Sequence, residues 1–155
     1  MVVLPGGGLQ EYHVFEVPDA VCVVPVLRDR SIVLIGQYRY PHGKTHWEVP
    51  AGRMHTGEAP ELAARRELRE ETGCSADRLI ALPGFYPTNG ISAHYAHAFA
   101  ALDCDETHPL ELDDSEQITT RRFTRDETRA LLRSGKIAAA FTALALHYYF
   151  DLVDG

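Results

Sequence analysis

GRMHTGEAPELAARRELREETGC, residues 52–74, carries three glutamates at the unfavourable end of a helix. The spacing predicts that helix from about Glu58 to Thr72. Pro60 sits near its start, where a missing N–H costs little, and Gly73 sits just past its end, where a left-handed cap is common. Glu67, Glu70 and Glu71 fall at i, i+3 and i+4 and so share one face. Their like-charge pairs are each unfavourable by about 0.2–0.5 kcal/mol, and the helix dipole disfavours anions in the last turns. One reading is a solvated surface helix laced with salt bridges; Glu61 and Arg65, in the favourable i, i+4 order, support it, and Arg66 with Glu70 forms the weaker orientation. The other reading is a site built for a cation. Oxygen-only ligands then point to a hard ion, Mg²⁺ or Mn²⁺, rather than zinc.

Outward from this helix the chain alternates strands and helices. Tyr12–Val17 and Ala20–Leu27 are rich in Val and aromatic residues and read as strands, with Pro18-Asp19 as the break. Ser31–Arg39 is a third strand, Pro41–His46 a loop, and Trp47-Glu48-Val49 a short extended piece entering Pro50-Ala51-Gly52. Leu79–Phe85 and Ala93–Leu102 read as strands around the loop Pro87–Ser92, with a further strand near Ile118–Phe123. Arg125–Arg133 and Ile137–Val153 close the chain as helices. This order implies an α/β fold with a sheet covered by helices on both faces. No linker divides it, so residues 1–155 are expected to form a single domain.

The 155 residues are 45% apolar and 24% charged, ordinary values for a globular chain. No stretch approaches the roughly 20 apolar residues of a membrane span, and the N-terminus does not read as a secretory signal. Cys22, Cys74 and Cys104 are odd in number and widely spaced, which argues against a disulfide framework and for a reducing, cytoplasmic setting. The net charge of −7 lacks the basic footprint of a nucleic-acid binder, so no DNA partner is expected. A polyanionic small molecule would need divalent cations to neutralise it. His13, His42, His46, His55, His97, His108 and His147 are taken as structural or surface groups.

Residues 52–74 match the Nudix box in full: Gly52, Glu58, Arg66, Glu67, Leu68, Glu70, Glu71 and Gly73, with Cys74 standing for the final aliphatic. Seven fixed positions make a chance match roughly 10⁻⁹ per window. The resemblance implies a Nudix-type α/β/α sandwich with a mixed β-sheet between helices. It implies Glu67, Glu70 and Glu71 as metal ligands, with the carbonyl of Ala51 as a further oxygen and Glu70 and Glu71 at the catalytic centre. Glu58 and Arg66 resemble the family's internal ion pair, which fixes the loop onto the helix.

The likeness extends over roughly residues 12–150 and is greatest to the ADP-ribose pyrophosphatase branch. Gln37-Tyr38-Arg39 and Trp47-Glu48-Val49-Pro50-Ala51-Gly52 resemble that branch's Q-[YF]-R and E-[LIF]-P-A-G patterns. Asp114-Ser115-Glu116-Gln117-Ile118 resembles its acidic loop, and Ser134-Gly135-Lys136-Ile137 its turn before the last helix. Phe85–Ser92 resembles its S-P-G loop, although Thr88-Asn89 replace Ser-Pro and Ala93-His94 stand where acids are common. By this resemblance Arg39 contacts the diphosphate, and Glu48 and Trp47 contribute to substrate binding, Trp47 by stacking on a base or ribose. A lone Trp beside a strand equally suits the core. Glu116 would orient or deprotonate the attacking water.

The implied activity is Mg²⁺-dependent hydrolysis of ADP-ribose or a related nucleoside diphosphate sugar, giving a nucleoside monophosphate and a sugar phosphate. The alternatives are the same chemistry on nucleoside triphosphates, dinucleoside polyphosphates or capped RNA, and an inactive ligand-binding module. Homodimerisation stays open.

Overall fold

The computed structural model describes residues 1–112 and 117–155. Val2–Val3 (β1) and Leu9–Gln10 (β2) form a small antiparallel hairpin of their own. The main sheet comprises Ala20–Leu27 (β3), Ile32–Arg39 (β4), Lys44–Glu48 (β5), Ala51–Arg53 (β6), Cys74–Phe85 (β7), Ala96–Glu106 (β8) and Ile118–Phe123 (β9). Its central path runs β5-β4-β3-β8-β7, with β6 pairing β3 and β9 pairing β4. The β3–β8 pair is parallel and the others antiparallel, so the sheet is mixed. Three helices, Pro60–Thr72 (α1), Arg125–Arg133 (α2) and Ala140–Leu152 (α3), complete the order.

The all-apolar run of β3 is explained by cover on both faces. Val21 and Val23 pack with Ala63, Ala64 and Leu68 of α1. Cys22, Val24 and Val26, alternating with them, pack with Ala145, Leu146 and Tyr149 of α3. The expected helix–sheet–helix sandwich is therefore the observed one. All three cysteines are buried free thiols, and burial pushes Cys22 and Cys104 up to about 12, so neither presents a reactive thiolate.

Asp154, just beyond α3, closes the sandwich. Its side chain is fully buried and accepts from Arg30 Nη2 at 2.5 Å, from Arg129 Nη2 at 3.5 Å and from Arg125 Nε. The Tyr149 hydroxyl donates to it at 3.3 Å. One carboxylate thus ties the β3–β4 turn, α2 and the end of α3 together.

Two expectations need correction. Residues 11–19, including Tyr12–Val17, form no strand; Tyr12, Val14 and Phe15 are exposed there, and alternation without a partner strand makes no ladder. Pro41–His46 is not a loop throughout: a 3₁₀ turn at Tyr40–His42 leads directly into β5 at Lys44. The strand β7 also starts earlier than the predicted Leu79, and β8 starts later than the predicted Ala93 and ends beyond Leu102, because they pair with each other from Cys74↔Glu106 to Phe85↔Ala96. No helix of the described residues is long and apolar enough to cross a membrane.

Candidate active site

Pro60 opens α1, and Gly73, at φ 69°, ends it in the left-handed conformation with its N–H bonded to the Arg69 carbonyl. Between them the helix buries Ala63, Ala64 and Leu68 on the sheet and, on the same side, Glu67 and Glu71. Glu70 is partly exposed.

Arg66 organises these acids. Its guanidinium forks onto Glu58, Nε to Oε1 and Nη2 to Oε2, each at 3.0 Å. Its Nη1 bonds Glu67 at 2.6 Å and Glu70 at 3.1 Å, and Nη2 also donates to the Arg53 carbonyl at 3.1 Å. The Arg66 hydrogen bonds, helped by the His55 N–H, hold the Glu58 carboxyl down at about 2. The partners in turn raise the Arg66 guanidinium above its ordinary value, most strongly through Glu58.

Strand β6 lies against this face of α1. The Ala51 N–H donates to Glu71 Oε2 at 2.8 Å. Gly52 lies so close to Glu67 that a Cβ there would overlap its carboxylate. Glycine at position 52 is therefore a steric requirement: only a residue without a side chain leaves the Glu67 carboxylate its place. Among the described residues no three His, Cys, Asp or Glu side chains already converge as a metal-holding group. The reason is visible: Arg66 lies between Glu67 and Glu70, and Glu71 is bonded to the β6 backbone. The donor set still fits a hard cation: Glu67, Glu70, Glu71 and the Ala51 carbonyl offer only oxygen, and Glu67 and Glu70 share their one guanidinium with Glu58.

Ala51 and Gly52 also floor a cleft of about 520 Å³. Arg39, His42, His46, Glu48, His94 and Phe141 also line it. Arg39 and Glu48 form a bidentate pair, Nε to Oε1 at 3.0 Å and Nη2 to Oε2 at 2.6 Å. The structure thus places the expected substrate residues Arg39 and Glu48 together, beside the expected metal residue Ala51.

Trp47, expected either at the substrate or in the core, follows the alternation of β5: neighbouring residues of a strand point to opposite faces, and Glu48 lines the cleft. The indole packs edge-on against Phe123 with centroids 5.0 Å apart, and Gly36, its cross-strand partner, makes room for it. Glu116 lies outside the described residues.

His42 and His46, expected as structural or surface groups, line the cleft, as does His94. His42 and His46 stand four residues apart, a spacing that was legible and passed over, and their rings meet in the cleft wall. His94 bonds Ser92 Oγ through Nδ1 at 3.0 Å and still faces the cleft.

The family model of the NUDIX domain matches residues 16–144. An ADP-ribose pyrophosphatase of Bacillus subtilis (strain 168) is 34% identical over 148 residues, covering 95% of this chain and 80% of the relative. A methanol dehydrogenase activator of Bacillus methanolicus is 30% identical with the same coverage. A crystal structure of an ADP compounds hydrolase superposes with a TM-score of 0.86 at 24% identity, over 99% of this chain and 83% of that one, and shows the same fold.

Proposed function

Since the chain belongs to the Nudix hydrolase family, we propose that it hydrolyses the diphosphate linkage of a nucleoside diphosphate sugar, with ADP-ribose first among candidates. The products are a nucleoside monophosphate and a sugar phosphate. The observation that carries the reading is the junction of α1 and β6: the backbone of Ala51–Arg53 is bonded by the acid-face helix on one side and floors the cleft on the other. A diphosphate seated in the cleft lies next to the carboxylates. The relative from Bacillus subtilis supplies the choice of ADP-ribose.

Glu67, Glu70, Glu71 and the Ala51 carbonyl would hold Mg²⁺, for which Mn²⁺ can substitute. The ion supplies neutralisation of charge developing on the diphosphate and acidification of a water. Arg39 orients a phosphate through its planar fork, and Glu48 fixes the guanidinium in place. Glu70 and Glu71 serve the reacting centre directly, and Glu116 orients or deprotonates the attacking water. Arg66 is a positioning residue, since it locks the Glu58 loop onto α1. The protein works as one catalytic domain in the cytoplasm, on a small nucleotide.

A panel of nucleoside diphosphate sugars, nucleoside triphosphates and dinucleoside polyphosphates, run with Mg²⁺ and with Mn²⁺, tests this. The expected result is metal-dependent turnover led by ADP-ribose, with AMP and ribose 5-phosphate as products. Tight binding without turnover across the panel would replace the enzyme by a ligand-binding module.

A further inference from the structure

His42 closes the 3₁₀ turn and His46 is the third residue of β5. The hairpin register, Arg39↔Lys44 and Gln37↔His46, folds the turn back over the strand. His42 Nδ1 and His46 Nε2 come to 3.0 Å, with ring centroids 4.9 Å apart and planes 60° to each other. Both rings line the cleft.

A hydrogen bond between two imidazole nitrogens requires one proton between them, supplied by either ring. While the pair is neutral, its two remaining nitrogens, His42 Nε2 and His46 Nδ1, are one donor and one acceptor. One added proton turns both into donors and gives the pair a single shared positive charge. A second would set two N–H groups against each other across 3.0 Å. The geometry of the pair therefore accommodates one added proton and opposes a second.

The charged and titratable groups around it are those of the cleft. Arg39 and Glu48 lie on the same wall and are bonded to each other, and Lys44 precedes His46 on the same strand face. Arg53 and His94 also line the cleft, while Ala138, Ala139 and Phe141 bring no charge. On a chain of net charge −7, a polyanion entering this cleft meets few cationic groups outside the pair.

We propose that the His42–His46 pair is a phosphate contact of the substrate cleft that accepts one proton as the diphosphate enters. The inference rests on the reading of the cleft as a diphosphate site. The proton comes from solvent and is returned when product leaves, so the pair sets affinity and its pH dependence rather than the chemical step.

The test compares the wild type with His42→Gln, His46→Gln and the double variant, since Gln keeps hydrogen-bonding capacity and cannot carry the charge. With ADP-ribose, the wild-type KM is expected to rise about tenfold from about pH 6 to about pH 8, the scale of a lost charge-assisted hydrogen bond. In the variants KM is expected to be high and nearly flat with pH, with kcat moving less than KM. Calorimetry with inorganic pyrophosphate in buffers of different ionisation enthalpy reads the proton without turnover. Uptake near pH 7.5 is expected in the wild type and is lost in the double variant. Wild-type pH slopes in the variants, or pyrophosphate binding with unchanged proton uptake, overturn the inference. Failure of the wild type to cleave any diphosphate sugar would sink the proposed function instead, and the calorimetry still decides the role of the pair.

Discussion

Two charge clusters in this molecule are mirror images. Around Arg66, one guanidinium is bonded to three carboxylates, Glu58, Glu67 and Glu70. Around Asp154, one carboxylate is bonded to three guanidinium groups, from Arg30, Arg125 and Arg129. What differs is where the charge in excess is kept. The three arginine side chains are 63%, 41% and 29% exposed, so water solvates their excess charge. The glutamates are 14%, 10% and 28% exposed, so most of theirs is held inside. A cluster whose excess charge faces water is a staple. One whose excess charge is withheld from water suits a cationic ligand.

The contrast is broken most severely at Asp154. Asp154→Ala leaves the arginine groups and the Tyr149 hydroxyl without their buried acceptor and is expected to cost about 3–5 kcal/mol of stability. Chemical denaturation measures it, and turnover per folded molecule should be retained. Glu71→Gln should show the opposite profile: turnover reduced at least ~100-fold, beyond the usual loss at an outer-shell partner of a metal, with the melting temperature little changed. Wild-type rates in both Glu70→Gln and Glu71→Gln would remove the metal face from the mechanism. Arg66→Lys loses the planar fork onto Glu58 and should weaken divalent-cation affinity by about tenfold, read by titrating Mn²⁺.

Acid should expose both clusters with the same sign. The folded-state pKa of Glu58 lies at about 2, below its ordinary 4.5, chiefly through Arg66. Burial opposes ionisation of Asp154, but Arg125 and Arg30 outweigh it and the group is also lowered. Each therefore stabilises the fold fully above the ordinary carboxylate range and loses that contribution as pH falls through its folded value. For Glu58 the window is from about 4.5 down to about 2. Arg66→Met is expected to shift the acid-unfolding midpoint upward. The smallest effect belongs to Trp47→Phe: a modest drop in melting temperature, about 1–2 kcal/mol of packing, with KM for ADP-ribose within about twofold. A large rise in KM would return the indole to the substrate site.

Features written in adjacent residues were legible in the sequence. The Gly73 stop, the shared face of Glu67, Glu70 and Glu71, and the extents of β9 and α2 needed only local spacing. Features that depend on a distant partner were not. Tyr12–Val17 has the composition of a strand but lies against the loop at Gly90–Ile91, to which Phe15 donates one backbone bond, rather than beside a strand. Cys74–Ala76 has no strong strand pattern and becomes strand because β8 lies beside it. Arg66 shows i, i+4 pairing with Glu70 from spacing alone, whereas its bond to the Arg53 carbonyl required the fold. The meeting of His42 and His46 needed the turn that places one against the other.

The bond from the Ala51 amide to Glu71 also gives the protein an internal clock. That amide exchanges its hydrogen with solvent only when the carboxylate releases it or β6 lifts from α1. A change in the coordination of Glu71 would therefore alter the exchange rate of a single backbone site, whereas loosening of the whole sandwich would alter the rates of β3 and β8 as well. Deuterium uptake at Ala51 separates local occupancy from global breathing, with no attached probe and no substrate.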